Sequence, residues 1–209
     1  RTFYVSGDAV YVWMTPWNHS PPSKESKPAT RPAQSVLYRL SLSGDAPTAL
    51  RVRGAPTDQF SFLEGSDDTL NVLVRAQGNG DAMWAPEQTA GAVALLRVDL
   101  DELTAAANEA PASAYVKLPQ PKGWVFQNRF VGDYLLYGTG TSWGRVNPDA
   151  ETRVYVHRFA DTKAEPTLLE LGHGVDRIEA MGNDAVVVGT DGKDLHFSSV
   201  SLAADRPAL

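Results

Sequence analysis

The sequence predicts an all-β chain built from a repeated antiparallel meander, and three observations predict it. Turn residues recur in register: Gly7-Asp8, Asp67-Asp68, Gly132-Asp133 and Asn183-Asp184 are each followed at once by an apolar strand. Gly, Asn and Asp accept the backbone that a tight hairpin requires. The segments further on also align, since Leu37-Tyr38-Arg39-Leu40-Ser41-Leu42 matches Leu95-Leu96-Arg97-Val98-Asp99-Leu100 position by position. The third observation is spacing. Arg39 to Arg97 is 58 residues, Arg97 to Arg158 is 61 and Arg158 to Ser199 is 41, the last an ordinary period for a propeller blade. Loop insertions account for the longer two.

The unit is clearest between Leu171 and Leu202. Ile178 to Met181 is a short apolar run that stops at Gly182-Asn183-Asp184, Ala185 to Gly189 is rich in β-branched residues, and Leu195 to Leu202 alternates apolar and polar side chains. That pattern is three antiparallel strands. The equivalent second strands are Ala9 to Met14, Thr69 to Val74 and Tyr134 to Gly138. A fourth strand closes the first three units, at Thr48 to Val52, Ala114 to Leu118 and Thr167 to Leu171.

The predicted fold is therefore a β-propeller of four-stranded antiparallel blades, with about four blades at roughly 1–54, 55–120, 121–172 and 173–209. The last is incomplete, because the sequence stops where its fourth strand should begin. This reads as part of a larger ring, with a closed four-bladed ring as the alternative. Blades that do not close expose an apolar face and a strand edge, so an open ring is expected to associate with itself.

Composition bounds the function. The 209 residues are 43% hydrophobic and 21% charged with a net charge of −6, which is globular and argues against nucleic acid as a partner. No apolar run approaches the roughly 20 residues of a membrane-spanning helix, so no membrane insertion is expected. The chain has no cysteine, so disulfides and thiolate metal sites are excluded.

The long loops between second and third strands carry the main functional signal. They hold Trp17 and His19, then Trp84, then Trp143 and Arg145. Antiparallel alternation sends all of these loops to one face, together with the connections 55–59, 119–128 and 173–177 between units. Exposed tryptophan is favoured at binding surfaces, and rigid scaffolds carry recognition on loops. The competing reading is that each tryptophan pins its own loop to the blade rim.

Motifs for chemistry are absent. The histidines His19, His157, His173 and His196 show no metal-ligand spacing, and no nucleophile elbow is present. No metal, cofactor or catalytic residue is assigned. His173 is expected to make a structural hydrogen bond. The alanine-rich stretch Asp101 to Ala110, acidic at its start, is the one helix-like segment.

The runs Tyr4 to Val12 (YVSGDAVYV), Ser35 to Gly44 (SVLYRLSLSG), Asp58 to Phe62 (DQFSF) and Arg129 to Leu135 (RFVGDYL) resemble a group of bacterial secreted proteins with a β-propeller domain distantly related to WD40 repeats. Gly172-His173 stands where WD40 repeats place Gly-His. The resemblance implies the propeller fold and a secreted, periplasmic or cell-surface location. It implies no catalytic residues.

Two functions follow as expectations. The first is a noncatalytic binding or scaffold module whose loop face, through Trp17, His19, Trp84, Trp143 and Arg145, recognises a protein, peptide or glycan. The alternative is part of a propeller enzyme, a hydrolase or lyase completed by further blades or another domain. Its channel residues would be Asp58, Gln127, Asn128, Asp176 and Arg177, near the starts of innermost strands. The simpler role for those five is to cap strand ends.

Overall fold

The structure is a computed structural model that describes residues 1–15, 35–76, 91–141, 151–161, 163–202 and 206–209. Among them lie fifteen strands and only short 3-10 turns. The chain divides into two compact units, Arg1–Leu118 and Pro119–Leu209.

The first unit holds two four-stranded antiparallel sheets. Sheet 1 runs in the order β1 (Thr2–Val5), β2 (Ala9–Met14), β3 (Ser35–Ser41), β4 (Thr48–Val52). Sheet 2 runs β5 (Phe62–Glu64), β6 (Thr69–Arg75), β7 (Val93–Asp99), β8 (Tyr115–Leu118). Each strand pairs with its neighbour in sequence, which is the meander expected from the recurring turns. Alternation decides which face is buried. Ala9, Tyr11 and Trp13 of β2 pack with Leu37, Leu50 and Val52 against Leu70, Val72 and Val74 of β6 and Leu96 of β7 in one core. Aromatic rings seal its edge: Tyr4 stacks on Phe62 at 5.6 Å and Trp13 meets Phe62 edge-on at 6.2 Å.

The stretch 101–110 is not a helix, contrary to expectation. A 3-10 turn covers only Leu100–Glu102, and Ala107 takes a positive φ of 50°. Beyond the turn the backbone pairs with β4: Ala49 and Thr104 exchange N–H···O bonds of 2.9 and 3.0 Å, Arg51 N donates to Asn108 O, and Ala110 N donates to Arg51 O. Helix propensity is a weak preference, and here an unpaired strand edge offered the same backbone groups a better set of partners. Leu103 and Ala110 enter the core, and Glu109 forms an ion pair with Arg53.

Buried tyrosines make the fold sensitive to alkali. Burial pushes the Tyr11 hydroxyl up to about 12, with Glu64 adding to the effect and Arg39 opposing it. Burial and the Glu151 carboxylate push Tyr155 up to about 12 as well. An acid whose folded pKa is raised keeps its proton longer in the native state than in the unfolded chain. Its contribution to stability is therefore intact below the unfolded value of about 10 and is lost as pH rises toward 12. Urea midpoints should be flat up to about pH 9.5 and fall beyond it, and Tyr11→Phe should flatten that fall.

The second unit holds sheet 3, in the order β12 (Thr167–Glu170), β11 (Arg153–Arg158), β10 (Tyr134–Gly140), β9 (Val125–Val131). Sheet 4 has three strands, β13 (Arg177–Met181), β14 (Asp184–Thr190) and β15 (Leu195–Val200). Ala208 bridges to Ser201 through two backbone hydrogen bonds beside the end of β15. The hairpins β9–β10 and β13–β14 turn at Gly132 and Gly182, with φ of 54° and 64°. Leu136, Val154 and Val156 of sheet 3 pack on Ile178, Ala185, Val187 and Val200 of sheet 4. The two first strands, β9 and β13, lie side by side, joined by the Arg129–Glu179 ion pair at 3.3 Å.

Two sheet faces carry apolar side chains to solvent. On sheet 1 these include Phe3, 60% exposed, with Val5, Met14 and Leu40. On sheet 4 they are Met181, Leu195 and Phe197.

Candidate binding face

The segments that carry Trp17, Trp84 and Trp143 adjoin described residues that are tied together by hydrogen bonds. In the first unit β2 and β3 hold the root of the loop that carries Trp17 and His19. Ser35 Oγ donates to Gly54 O at 3.1 Å, so its one hydrogen is used and Thr15 Oγ1 donates to Ser35 Oγ at 3.0 Å. The root of the loop that carries Trp84 closes where Ala76 N donates to Ala92 O and Gly91 N to Ala76 O, at 2.9 and 3.0 Å. The connection between the two sheets touches both roots, because Gly54 contacts Ser35 and Ala55 exchanges two 2.9 Å bonds with Arg75.

The second unit repeats the arrangement. Segment 173–176 inserts between the ends of β10 and β14: Gly174 N donates to Thr190 O, Val175 N to Thr139 O and Asp176 N to Val188 O. Only glycine lets the backbones come this close. A Cβ on Gly140 would overlap the Val175 carbonyl and the Asp176 carboxylate.

The Asp176 carboxylate then ties the site together. Its Oδ1 accepts from Thr141 N at 2.6 Å and its Oδ2 accepts from Thr190 N at 3.3 Å. Thr141 is the last described residue before the loop that carries Trp143 and Arg145. On the far side of that loop Glu151 N donates to Lys122 O at 3.2 Å.

His173 is buried, and its tautomer follows from its partners. Nδ1 lies 2.8 Å from Gly174 O, and a carbonyl only accepts, so Nδ1 carries the proton. Nε2 therefore accepts from the Ser198 hydroxyl, also at 2.8 Å. The ring stacks at 5.2 Å on His196, whose Nε2 lies 3.0 Å from Asp191. The amides of Asp194 and Lys193, with His196, hold the Asp191 carboxyl well below the usual range. These contacts knit turn 191–194 to the inserted segment, which is structural work. His157 is fully buried in β11, and burial pushes its imidazole pKa down against the pull of Asp161 and Glu165.

The sequence-derived site residues separate into two groups. Trp17, His19, Trp84, Trp143 and Arg145 lie outside the described residues. The other five are in place but scattered in role. Asp58 caps the 3-10 turn Gln59–Ser61 reciprocally with Ser61. Asp176 is the tie just described, and Arg177 donates to Glu179 at 2.5 Å. Gln127 is half-buried in β9, opposite Gly138. Asn128, beside it, is buried with neither amide atom partnered among the described residues. Among the described residues no group of three His, Asp or Glu side chains is placed to hold a metal ion, and no helix is long and apolar enough to cross a membrane.

Trp124 was not singled out by sequence reasoning and stands out in the structure. It directly precedes β9 and is 84% exposed. Its sequence signal was its place in the connection 119–128, already assigned to the loop face, directly after a Lys-Gly pair and before a strand. Comparison with protein-family models, curated proteins and solved structures returned no match.

Proposed function

We propose that this chain is an exported β-propeller module without catalytic activity, which recognises a protein, peptide or glycan through the loops on one face. The propeller reading is supported by the meander order of every sheet, by the face-to-face packing of two sheets in each unit, and by β9 lying beside β13 as innermost strands of successive blades do. The apolar outer faces of sheets 1 and 4 are the kind by which blades stack in a ring. Export rests on the family resemblance alone.

The observation that carries the binding role is the convergence of loop roots and inter-sheet connections within each unit, each root held by backbone or buried side-chain hydrogen bonds. Variable loops on a fixed mount are the usual arrangement for recognition. The carboxylates that the enzyme reading requires, Asp58 and Asp176, accept hydrogen bonds from backbone amides, and this supports the noncatalytic reading over it.

The test is a ligand taken from arrayed peptides and glycans, measured against a variant with Trp17, Trp84 and Trp143 all replaced by alanine. Affinity should fall by more than roughly tenfold while far-UV dichroism and thermal midpoint hold. Unchanged binding by this variant overturns the assignment to these loops.

A further inference from the structure

We propose that this chain pairs head to tail with a second copy of itself, the outer face of sheet 4 in one copy packing on the outer face of sheet 1 in the other. The contact uses sheet faces and not the loop face, so it goes beyond the ligand reading and is tested separately from it.

The protein already makes this kind of junction twice, once inside each unit. Arg39, Arg97 and Ser199 hold the same place in β3, β7 and β15, and cross-strand register carries that equivalence across each sheet. In sheet 2 the row Phe62, Val72, Leu96 belongs to the face that meets sheet 1. In sheet 4 the matching row is Ile178, Val187, Ser198, and its Ile178 and Val187 lie in the core shared with sheet 3. This is the back face of a sheet. Sheet 1 meets sheet 2 with its opposite, front face, where Trp13 and Leu37 form a buried row. Sheet 3 also uses its front: Leu136 pairs with Val156, two residues from Arg158, the counterpart of Arg39. Both units thus pack front on back.

One face of each kind is left over. The back of sheet 1 carries Phe3, Val12 and Tyr38 in the row that matches Phe62, Val72 and Leu96. Phe3 is 60% exposed where its counterpart Phe62 is 4% exposed. The front of sheet 4 sets Val188 beside Phe197, and Phe197 is 68% exposed where its counterpart Leu37 is fully buried. A spare front and a spare back fit each other, whereas two backs or two fronts would form a junction that neither unit uses. Apolar side chains gathered on one exposed face mark an interaction surface.

Charge and area agree with a second copy as the occupant. Glu179 on the front of sheet 4 is matched by Arg129 at 3.3 Å and Arg177 at 2.5 Å, and Arg51 on the back of sheet 1 by Glu109 at 3.9 Å. Sheet 4 has three strands. Three strands about 4.8 Å apart and about six residues long cover roughly 300 Å², whereas a stable interface buries at least about 600 Å² per partner. One contact falls short and two suffice. Each chain therefore uses both spare faces and the assembly closes on itself, most simply as a pair.

The experiment is sedimentation velocity on the full chain at micromolar concentration, which should return twice the mass of one chain. Phe3→Glu and Phe197→Lys each place a charge in one half of the contact. Both side chains are exposed in the single chain, so the far-UV dichroism of the variants should hold. Each variant alone should fall to the mass of one chain, its association weakened by more than roughly tenfold. Mixed in equal amounts they should recover the two-chain mass, because such a pair has one unaltered contact and opposite charges in the other. Phe3→Leu and Phe197→Leu should stay paired. A native chain that sediments singly overturns the proposal and leaves these faces to a different partner. An assembly that survives either charge variant overturns it in favour of a like-on-like contact, and a mixture that stays at single-chain mass overturns it as well.

Discussion

Replacing Gly189 by alanine should disrupt the second unit more than any other single methyl group would. The new Cβ would overlap the Gly174 carbonyl oxygen and press on Nδ1 of His173. Neither neighbour can yield cheaply. Gly174 is fixed by its N–H bond to Thr190 O at 3.1 Å, and Asp176 N holds the next turn of the segment to Val188 O at 2.9 Å. The His173 ring is buried, with Nδ1 donating to Gly174 O and Nε2 accepting from the Ser198 hydroxyl. Relief requires pulling segment 173–176 out of its slot, and that breaks several backbone hydrogen bonds together. The expected cost is at least about 3 kcal/mol, at the upper end for overpacking because the obstacle is backbone. The readout is the urea midpoint followed by far-UV dichroism. Gly7→Ala is the control, since nothing lies within 4 Å of a Cβ added there, and it should shift stability by no more than about 0.5 kcal/mol. Equal midpoints for the two variants would show that the close approach at Gly189 is not a packing constraint.

Trp13→Ala should be the corresponding lesion in the first unit. Trp13 is 1% exposed in β2 and packs edge-on against Phe62, the first residue of β5, so it joins sheet 1 to sheet 2. Removing an indole from such a core costs about 3–5 kcal/mol, because lost burial and the remaining cavity add. Trp13→Phe should recover a large part of that, as the indole nitrogen has no hydrogen-bond partner to lose among the described residues. The check is a chemical denaturation series on both variants. A loss below about 1 kcal/mol for alanine would mean that the two sheets are held mainly by their aliphatic contacts.

Much of the architecture was legible because local signals and tertiary structure agree. The Gly132-Asp133 and Gly182-Asn183 pairs sit between strands in register, and β4 spans Thr48–Val52, the expected fourth strand of the first unit. The stretch 101–110 was illegible for a definite reason. Its alanines favour a helix weakly, and the partner that overrides them, the edge of β4, stands far away in sequence. The candidate site was legible in its location and not in its detail. Asp58 and Asp176 were found as polar residues at strand starts, yet a sequence does not show which backbone amides will converge on a carboxylate. Trp124 escaped because attention to long loops passes over a tryptophan in a short connection. The backbone two residues before it is held by Thr139 of β10, whose hydroxyl donates to Lys122 O, a contact that no local pattern encodes.

The pairing of 104–110 with β4 has a temporal consequence. Sheet 1 can complete its four strands as soon as Val52 has left the ribosome, but the hydrogen bonds that cover its outer edge come from residues made after β7. For the interval of synthesis between them, the amides of Ala49 and Arg51 and the carbonyls beside them stand open as a template for any passing strand. Protection of these two amides during refolding is therefore a clock. It marks the moment when the first unit stops being vulnerable to the wrong partner and has found its own.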